Sequence, residues 1–325
     1  MNGTLILTRK EVQQLLSIEE CIIAVEDAFR MYAEGKTLAT GVLGVPSQNG
    51  GFHIKASGLK ENQNLFAAKI NANFPLNRDR FQLPTIQGLI VLCDSLNGKP
   101  LAVMDSMEIT AQRTAAASAV AAKYLARKGK HTLTIFGCGT QSYAQLNAIA
   151  TVCEIQKIFA FDKIQSAAHQ LAEDFAEKFS VEIANDPQAT SLQSSIVITC
   201  TPSRGAILHR VSPGTFIAAI GADSHDKQEI DPQLLSVAKV VTDLTDQCAA
   251  IGDLHHAISA GFLRKEDVHA ELGEIVCGKK KGRETEEEIT IFDSTGTALQ
   301  DVAAAALVYK RAAESGIGRV IDFSY

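Results

Sequence analysis

The residues most able to do chemistry lie between Leu133 and Asp162, where LTIFGCGTQ is followed by a polar amphipathic stretch and then by IFAFDK. This is an apolar strand, a tight glycine turn, a helix and a second strand that ends on an acid. Gly137 permits the sharp exit from the strand, and Gly139 lets the backbone approach a pyrophosphate lying on the positive end of the helix. Asp162 then stands where an adenosine ribose would be held. Ser142 occupies the third glycine position of such a fingerprint, so the flanking strands and the terminal acid carry the dinucleotide reading. Asp162 favours NAD by repelling a 2′-phosphate, while Lys163 beside it partly offsets that repulsion and leaves NADP open.

Other reactive side chains are scattered. FHIKASG and LFAAKIN alternate with period two and place Lys55 and Lys69 on the more polar face of their strands. His255 and His256 have neither the spacing nor the neighbours of a metal site, so packing or capping suits them and no metal is expected. The run KKKGRETEEE reads as a solvated surface loop.

These residues need elements to position them. Thr8 with Glu11 and Ser17 with Glu20 are capping boxes, the second opening an amphipathic helix that stops at Gly35. The two alternating strands follow, then IQGLIVLCD and PLAVMD around a turn containing Asn97-Gly98. Asp105 and Glu108 cap an alanine-rich helix that joins two domains and carries Arg113 among small neighbours. From Thr132 strands and helices alternate, and Thr297 to Ser315 reads as a last helix able to pack back on the first domain. The expected fold class is α/β: a doubly wound parallel Rossmann sheet plus an α+β substrate and dimerisation domain with a mostly antiparallel sheet. The expected domains are 1–126, completed by 297–325, and 127–296.

The 325 residues suit two cores, and 46% hydrophobic with 21% charged residues describes a globular protein. A net charge of -6 offers no attraction to nucleic acid or an anionic membrane. No apolar run approaches a membrane span, and the first residues lack a signal-peptide pattern, so a cytoplasmic location is expected. The seven cysteines contain no C-x-x-C and read as reduced core thiols.

Five segments in order, DSMEITAQRTAAASAVAAKYLAR, IFGCGTQ, GAD, AELGEIVCG and FDSTGTALQDVAAAALVY, resemble the ornithine cyclodeaminase and μ-crystallin family, collinearly from about Leu65 to Tyr309. The resemblance implies a homodimer acting on a small α-amino or α-imino acid in a cleft between domains, with NAD or NADP as cofactor. It implies hydride transfer at the substrate's α-carbon. The leading expectation is cyclodeamination of L-ornithine to L-proline and ammonia, or reduction of pyrroline-2-carboxylate. The alternatives are oxidative deamination of the alanine dehydrogenase type and a non-enzymatic, crystallin-like binding protein.

The resemblance also assigns roles. Lys69 neutralises the substrate carboxylate or donates a proton, and Arg113 supplies a planar fork for a carboxylate. Asp223 holds the substrate ammonium and stabilises the iminium formed as hydride leaves. Many relatives carry an arginine on the strand before the lysine strand, but none occurs here between Arg30 and Arg78, so Lys55 is the candidate replacement. Cofactor contacts are implied at Thr85, Arg113, Thr140 and Gln141, and further along at Thr201, Pro202, Ser294 and Gly296.

Overall fold

The computed structural model describes residues 3–60 and 64–323. The first part of the chain forms β1 (Thr4–Leu7), α1 (Arg9–Leu15), α2 (Ile18–Ala33), β2 (Gly41–Ser47), β3 (Gly50–Leu59), β4 (Leu65–Asn73), α3 (Asn77–Phe81), β5 (Ile86–Asp94), β6 (Pro100–Asp105) and α4 (Met107–Leu125). Next come β7 (Lys130–Phe136), α5 (Thr140–Val152), β8 (Glu154–Phe161), α6 (Gln165–Phe175), β9 (Ser180–Ile183), α7 (Pro187–Ser191), β10 (Ile196–Thr199), β11 (Arg204–Leu208), β12 (Phe216–Ala219) and β13 (Gln228–Ile230). The remainder is α8 (Pro232–Ser236), β14 (Lys239–Thr242), α9 (Thr245–Ile251), α10 (Asp253–Ser259), β15 (Ala270–Glu271), α11 (Leu272–Val276), β16 (Thr290–Asp293), α12 (Ala298–Ser315) and β17 (Arg319–Ile321). The chain divides into two compact units, one of residues 1–113 and 297–325, the other of residues 114–296.

The first unit is a seven-stranded sheet in the order β17-β1-β6-β5-β4-β3-β2. Every neighbouring pair is antiparallel except β1 with β6. Helices α2 and α12 pack together, and α12 lies on β3 and β4. β4 has β3 on one side and β5 on the other, in a register that sets Lys69 opposite Lys55 and Ile90.

The faces of this sheet reverse the expectation from alternation. The lysine-bearing face is the buried one: Lys69 joins Ser57, Leu59, Ala67, Ile90, Leu92 and Met104 in the interior. The opposite face leaves Leu43, Val45, Phe52, Ile70 and Leu89 exposed. Hydrophobic pattern alone misassigns the faces because α12 supplies a carboxylate that lets a lysine be buried, and because an apolar outer face is tolerated in this chain. β2, in the glycine-rich LATGVLGVP segment, was not expected as a strand and adds the outermost rung.

Capping follows the sequence at Thr8, whose side chain accepts from the Glu11 N–H while Glu11 accepts from the Thr8 N–H. It differs at α4. Asp105 Oδ1 accepts from the Met107 N–H at 2.9 Å, but Glu108 turns away to accept from Gln112.

The second unit is an eight-stranded, wholly parallel sheet in the order β15-β14-β16-β12-β10-β7-β8-β9. Chain order reverses between β7 and β10, and the ends of these strands form the crevice where open parallel sheets bind ligands. A short parallel pair, β11 with β13, stands apart from the main sheet. The α/β class with one Rossmann-like parallel sheet and one mostly antiparallel sheet is as the sequence indicated. Among the described residues, no helix is long and apolar enough to cross a membrane, no group of three His, Cys, Asp or Glu could hold a metal, and the cysteines are free.

The charged KKKGRETEEE segment is not merely a solvated loop. Arg283 caps the end of α4: its N–H donates to Tyr124 O and its Nε to Leu125 O. Its other nitrogens donate to the Thr285, Glu288 and Thr215 carbonyls and to Thr290 Oγ1. A guanidinium matches so many acceptors because its donors diverge in one plane. Replacing Arg283 by Ala should lower stability by roughly 3 kcal/mol, the scale of stranding several semi-buried acceptors. Urea unfolding followed by circular dichroism would test this, and an unchanged midpoint would return the segment to a solvated role.

Candidate active site

The first unit gathers its charged side chains around one carboxylate. Asp301 sits in the first turn of α12, in the run ALQDVAAAAL, where small neighbours bring the helix close to β3 and β4. Lys69 Nζ lies 2.8 and 2.7 Å from the two Asp301 oxygens. Arg113, from α4, places Nε 2.9 Å from Asp301 Oδ1 as an ion pair and donates from NH1 to Gln300 Oε1 at 2.6 Å. Lys69, Arg113, Gln300 and Asp301 are all at most 5% exposed. Thr110, one turn before Arg113 on α4, accepts from Lys69 at 3.5 Å.

Burial dominates the protonation of this cluster. It pulls Lys69 down, and the charges of Arg113 and Lys55 pull further, against the opposing effect of Asp301, so Lys69 falls from 10.5 to about 7. Burial pushes the Asp301 carboxyl up, but Lys69 and Arg113 more than reverse this and hold it below its usual range. A lysine near neutrality can both carry a charge to a carboxylate and exchange a proton. Two buried polar atoms beside this cluster on α12 and its cap, Gln300 Nε2 and Thr297 Oγ1, have no hydrogen-bond partner. Such orphaned groups suit a polar ligand.

Asp301 and Gln300 were not among the residues singled out from sequence. Their signal was there: a carboxylate and an amide surrounded by alanine, valine and leucine on a helix that must be buried. An acid so placed requires a cation.

The second unit builds the glycine turn. Gly137 has φ +94° and donates its N–H to Phe161 O, and a Cβ there would lie 2.8 Å from the Cys200 carbonyl oxygen. Gly139 is the N-cap of α5 with no capping side chain, and a Cβ there would meet nothing within 4 Å. No side chain caps the first turn of α5, and the position beside Gly139 is open, which fits a pyrophosphate. Asp162 accepts from the Cys138 N–H through one oxygen and the Ile164 N–H through the other, each at 2.8 Å. Its carboxylate thus ties the glycine turn to the end of β8. Lys163 and Thr140 are exposed, and Gln141 is half-buried.

The remaining candidates have defined surroundings. Thr201 donates from both N and Oγ1 to Glu229 Oε1, and Pro202 after it is exposed. Ser294 Oγ and the Gly296 N–H both donate to Asp243 Oδ2, at 2.9 and 2.7 Å. Thr85, in the first unit, accepts at its carbonyl from the Phe74 N–H. Asp223 lies in the loop after β12, half-exposed, 2.6 Å from Lys227. His255 and His256 bond the Ala249 and Lys227 carbonyls. The structure thus brings Lys69 and Arg113 onto one carboxylate, with Lys55 in register beside Lys69. It places Asp223 with the dinucleotide candidates in the other unit.

The sequence profile of the "Ornithine cyclodeaminase/mu-crystallin family" matches residues 2–316. The chain belongs to that family. A family member from Archaeoglobus fulgidus, an alanine dehydrogenase, is 41% identical over 322 residues, covering 98% of each chain. The solved structure of an archaeal alanine dehydrogenase dimer with bound NAD superimposes with a TM-score of 0.95 at 40% identity and covers 99% of both chains. A Thermococcus litoralis Δ1-pyrroline-2-carboxylate reductase, solved with NADH and L-proline, gives 0.93 at 34% identity over 98% of this chain and all of its own. Within the ornithine cyclodeaminase/mu-crystallin family this protein is an NAD(P)-dependent oxidoreductase-type enzyme. It carries out hydride-transfer chemistry on a small amino or imino acid.

The protonation of Lys69 has a measurable sign. Between about 7 and its unfolded value near 10.5, folded Lys69 binds fewer protons than the unfolded chain, so its contribution to stability rises with pH across that window. Melting temperatures from pH 7 to 10 should therefore rise relative to those of Lys69→Met, which lacks the group. Parallel curves for the two proteins would show that Lys69 titrates normally.

Proposed function

We propose that the protein is an NAD-dependent amino-acid dehydrogenase of the alanine dehydrogenase type, interconverting a small L-amino acid with its 2-oxo acid and ammonia. The observation that carries this reading is the cation cluster in which Lys69 and Arg113 pair with Asp301 and Lys55 stands in register opposite Lys69. It suits a substrate whose one anionic group is a carboxylate and whose side chain carries no charge. A diamine such as ornithine would bring a second ammonium toward three cations, and identity to alanine dehydrogenase (41%) exceeds that to the pyrroline-2-carboxylate reductase (34%). The expectation of cyclodeamination therefore gives way to the oxidative-deamination alternative.

The cofactor, when bound, accepts a hydride from the substrate α-carbon. The Gly137–Gly139 turn would take its pyrophosphate, with Thr140 and Gln141 at the start of the helix. Asp162, held by two N–H groups, disfavours a 2′-phosphate, which supports NAD. Lys69 and Arg113 would neutralise the substrate carboxylate. Lys69, balanced between its two protonation states near pH 7, would exchange the proton lost as the amine becomes an imine and water adds. Asp223 would hold the substrate ammonium and offset the charge of the iminium.

The apolar row of exposed Leu43, Ile70 and Leu89 with half-buried Ile54, in direct register across β2, β3, β4 and β5, is the face on which a second copy would pack. The dimer in the archaeal alanine dehydrogenase structure supports that assembly. Ile70→Lys should convert a dimer in light scattering to a monomer at micromolar concentration. A wild-type monomer would refute the assembly.

The activity test uses three mixtures. L-alanine with excess NAD should yield NADH and pyruvate. Ornithine with catalytic NAD should yield no proline, and pyrroline-2-carboxylate should oxidise NADH far more slowly than pyruvate plus ammonia. Proline formed from ornithine without net NADH would instead establish cyclodeamination. Asp223→Asn should lower alanine turnover by at least about a hundredfold with NADH affinity retained, as expected for loss of a charge acting in the transition state.

A further inference from the structure

The ends of β7, β10 and β12 are adjacent, and the loops after them hold the glycine turn, Thr201 with Pro202, and Gly221 to Asp223. A single carboxylate runs beneath two of them. Glu229, on β13 and fully buried, accepts at Oε1 from the Thr201 N–H (2.6 Å) and hydroxyl (2.7 Å), and at Oε2 from the Gly221 N–H (2.7 Å). The third loop leans on the same point, since a Cβ on Gly137 would touch the Cys200 carbonyl and the Thr201 methyl. Gly221 itself is clamped: a Cβ there would lie 2.3 Å from Thr201 O and 2.5 Å from the Glu229 carboxyl carbon.

Glu229 is in turn anchored from below. Asp253 Oδ1 accepts from the N–H groups of Glu229 and Ile230, both at 2.8 Å. Asp293, at the end of β16, accepts from the N–H groups of Asp253 and Leu254 at 3.3 and 2.9 Å. Burial raises all three carboxyls. Three buried acids in series are costly to desolvate, and each is held by backbone N–H donors. Their common effect is to set the height of the strand-end loops.

We propose that Glu229 is a positioning residue for the hydride-transfer reaction, acting through the Thr201 and Gly221 backbones to hold the Asp223 loop in register with the glycine-turn loop. This rests on the assignment of Asp223 to the substrate. The three donors that converge on Glu229 need an acceptor at both oxygens. In Glu229→Gln one of those positions becomes an NH₂ group facing an N–H or O–H donor, which releases one loop while conserving shape.

The test compares wild type, Glu229→Gln and Gly221→Ala, the last disturbing the clamp from the loop side with all three acids intact. Both variants should lose about a hundredfold in kcat, the effect of a small misplacement of reacting groups, with KM for alanine changed less than about threefold. Hydrogen exchange should accelerate in the 221–227 peptide while the β7 and β16 peptides keep their protection. Wild-type kcat in Glu229→Gln, or a loss of kcat accompanied by lost protection throughout the parallel sheet, would overturn the proposal. Exchange is measurable whether or not alanine turns over. An inactive wild type would refute the functional reading, while the 221–227 exchange would still decide the clamp.

Discussion

Two cations can be buried side by side in the first unit only because Asp301 lies between them. Moving an ammonium and a guanidinium out of water costs several kcal/mol each, and an unpaired one would shed its charge or unfold its surroundings. With both Asp301 oxygens within 3 Å of cationic nitrogen, the cluster keeps one firm negative charge, and Lys69 is left on the edge of ionisation. The same contact explains which face of the sheet is interior. α12 can cover β3 and β4 on their lysine side because its buried acid, Asp301, meets buried Lys69.

The second unit uses carboxylates differently. Asp162, Asp243, Glu229, Asp253 and Asp293 all receive backbone N–H groups. Parallel strands end with donors and acceptors that their loops cannot pair with each other, and a carboxylate, which only accepts, can satisfy two or three donors at once. These acids therefore fix the shape of the crevice end of the sheet.

Family membership accounts for the fold and the class of chemistry. In the proposed carboxylate site, Lys55 opposite Lys69 on β3 would add a point charge beside the planar fork of Arg113.

Much of this was legible in the chain itself. Gly137, Gly139 and Asp162 announce their turn because local backbone geometry demands those residue types at that spacing, and alternation and capping residues mark strands and helices for the same local reason. What only the tertiary structure decided involves residues far apart in the chain. Lys69 and Asp301 meet across 232 positions, the apolar face of β4 lies outside rather than inside, and Arg283 leaves a charged run to close a helix. Sequence periodicity records which residues share a face. It carries no information on which face a distant helix will cover, because that depends on a charge pair that exists only after the chain has folded.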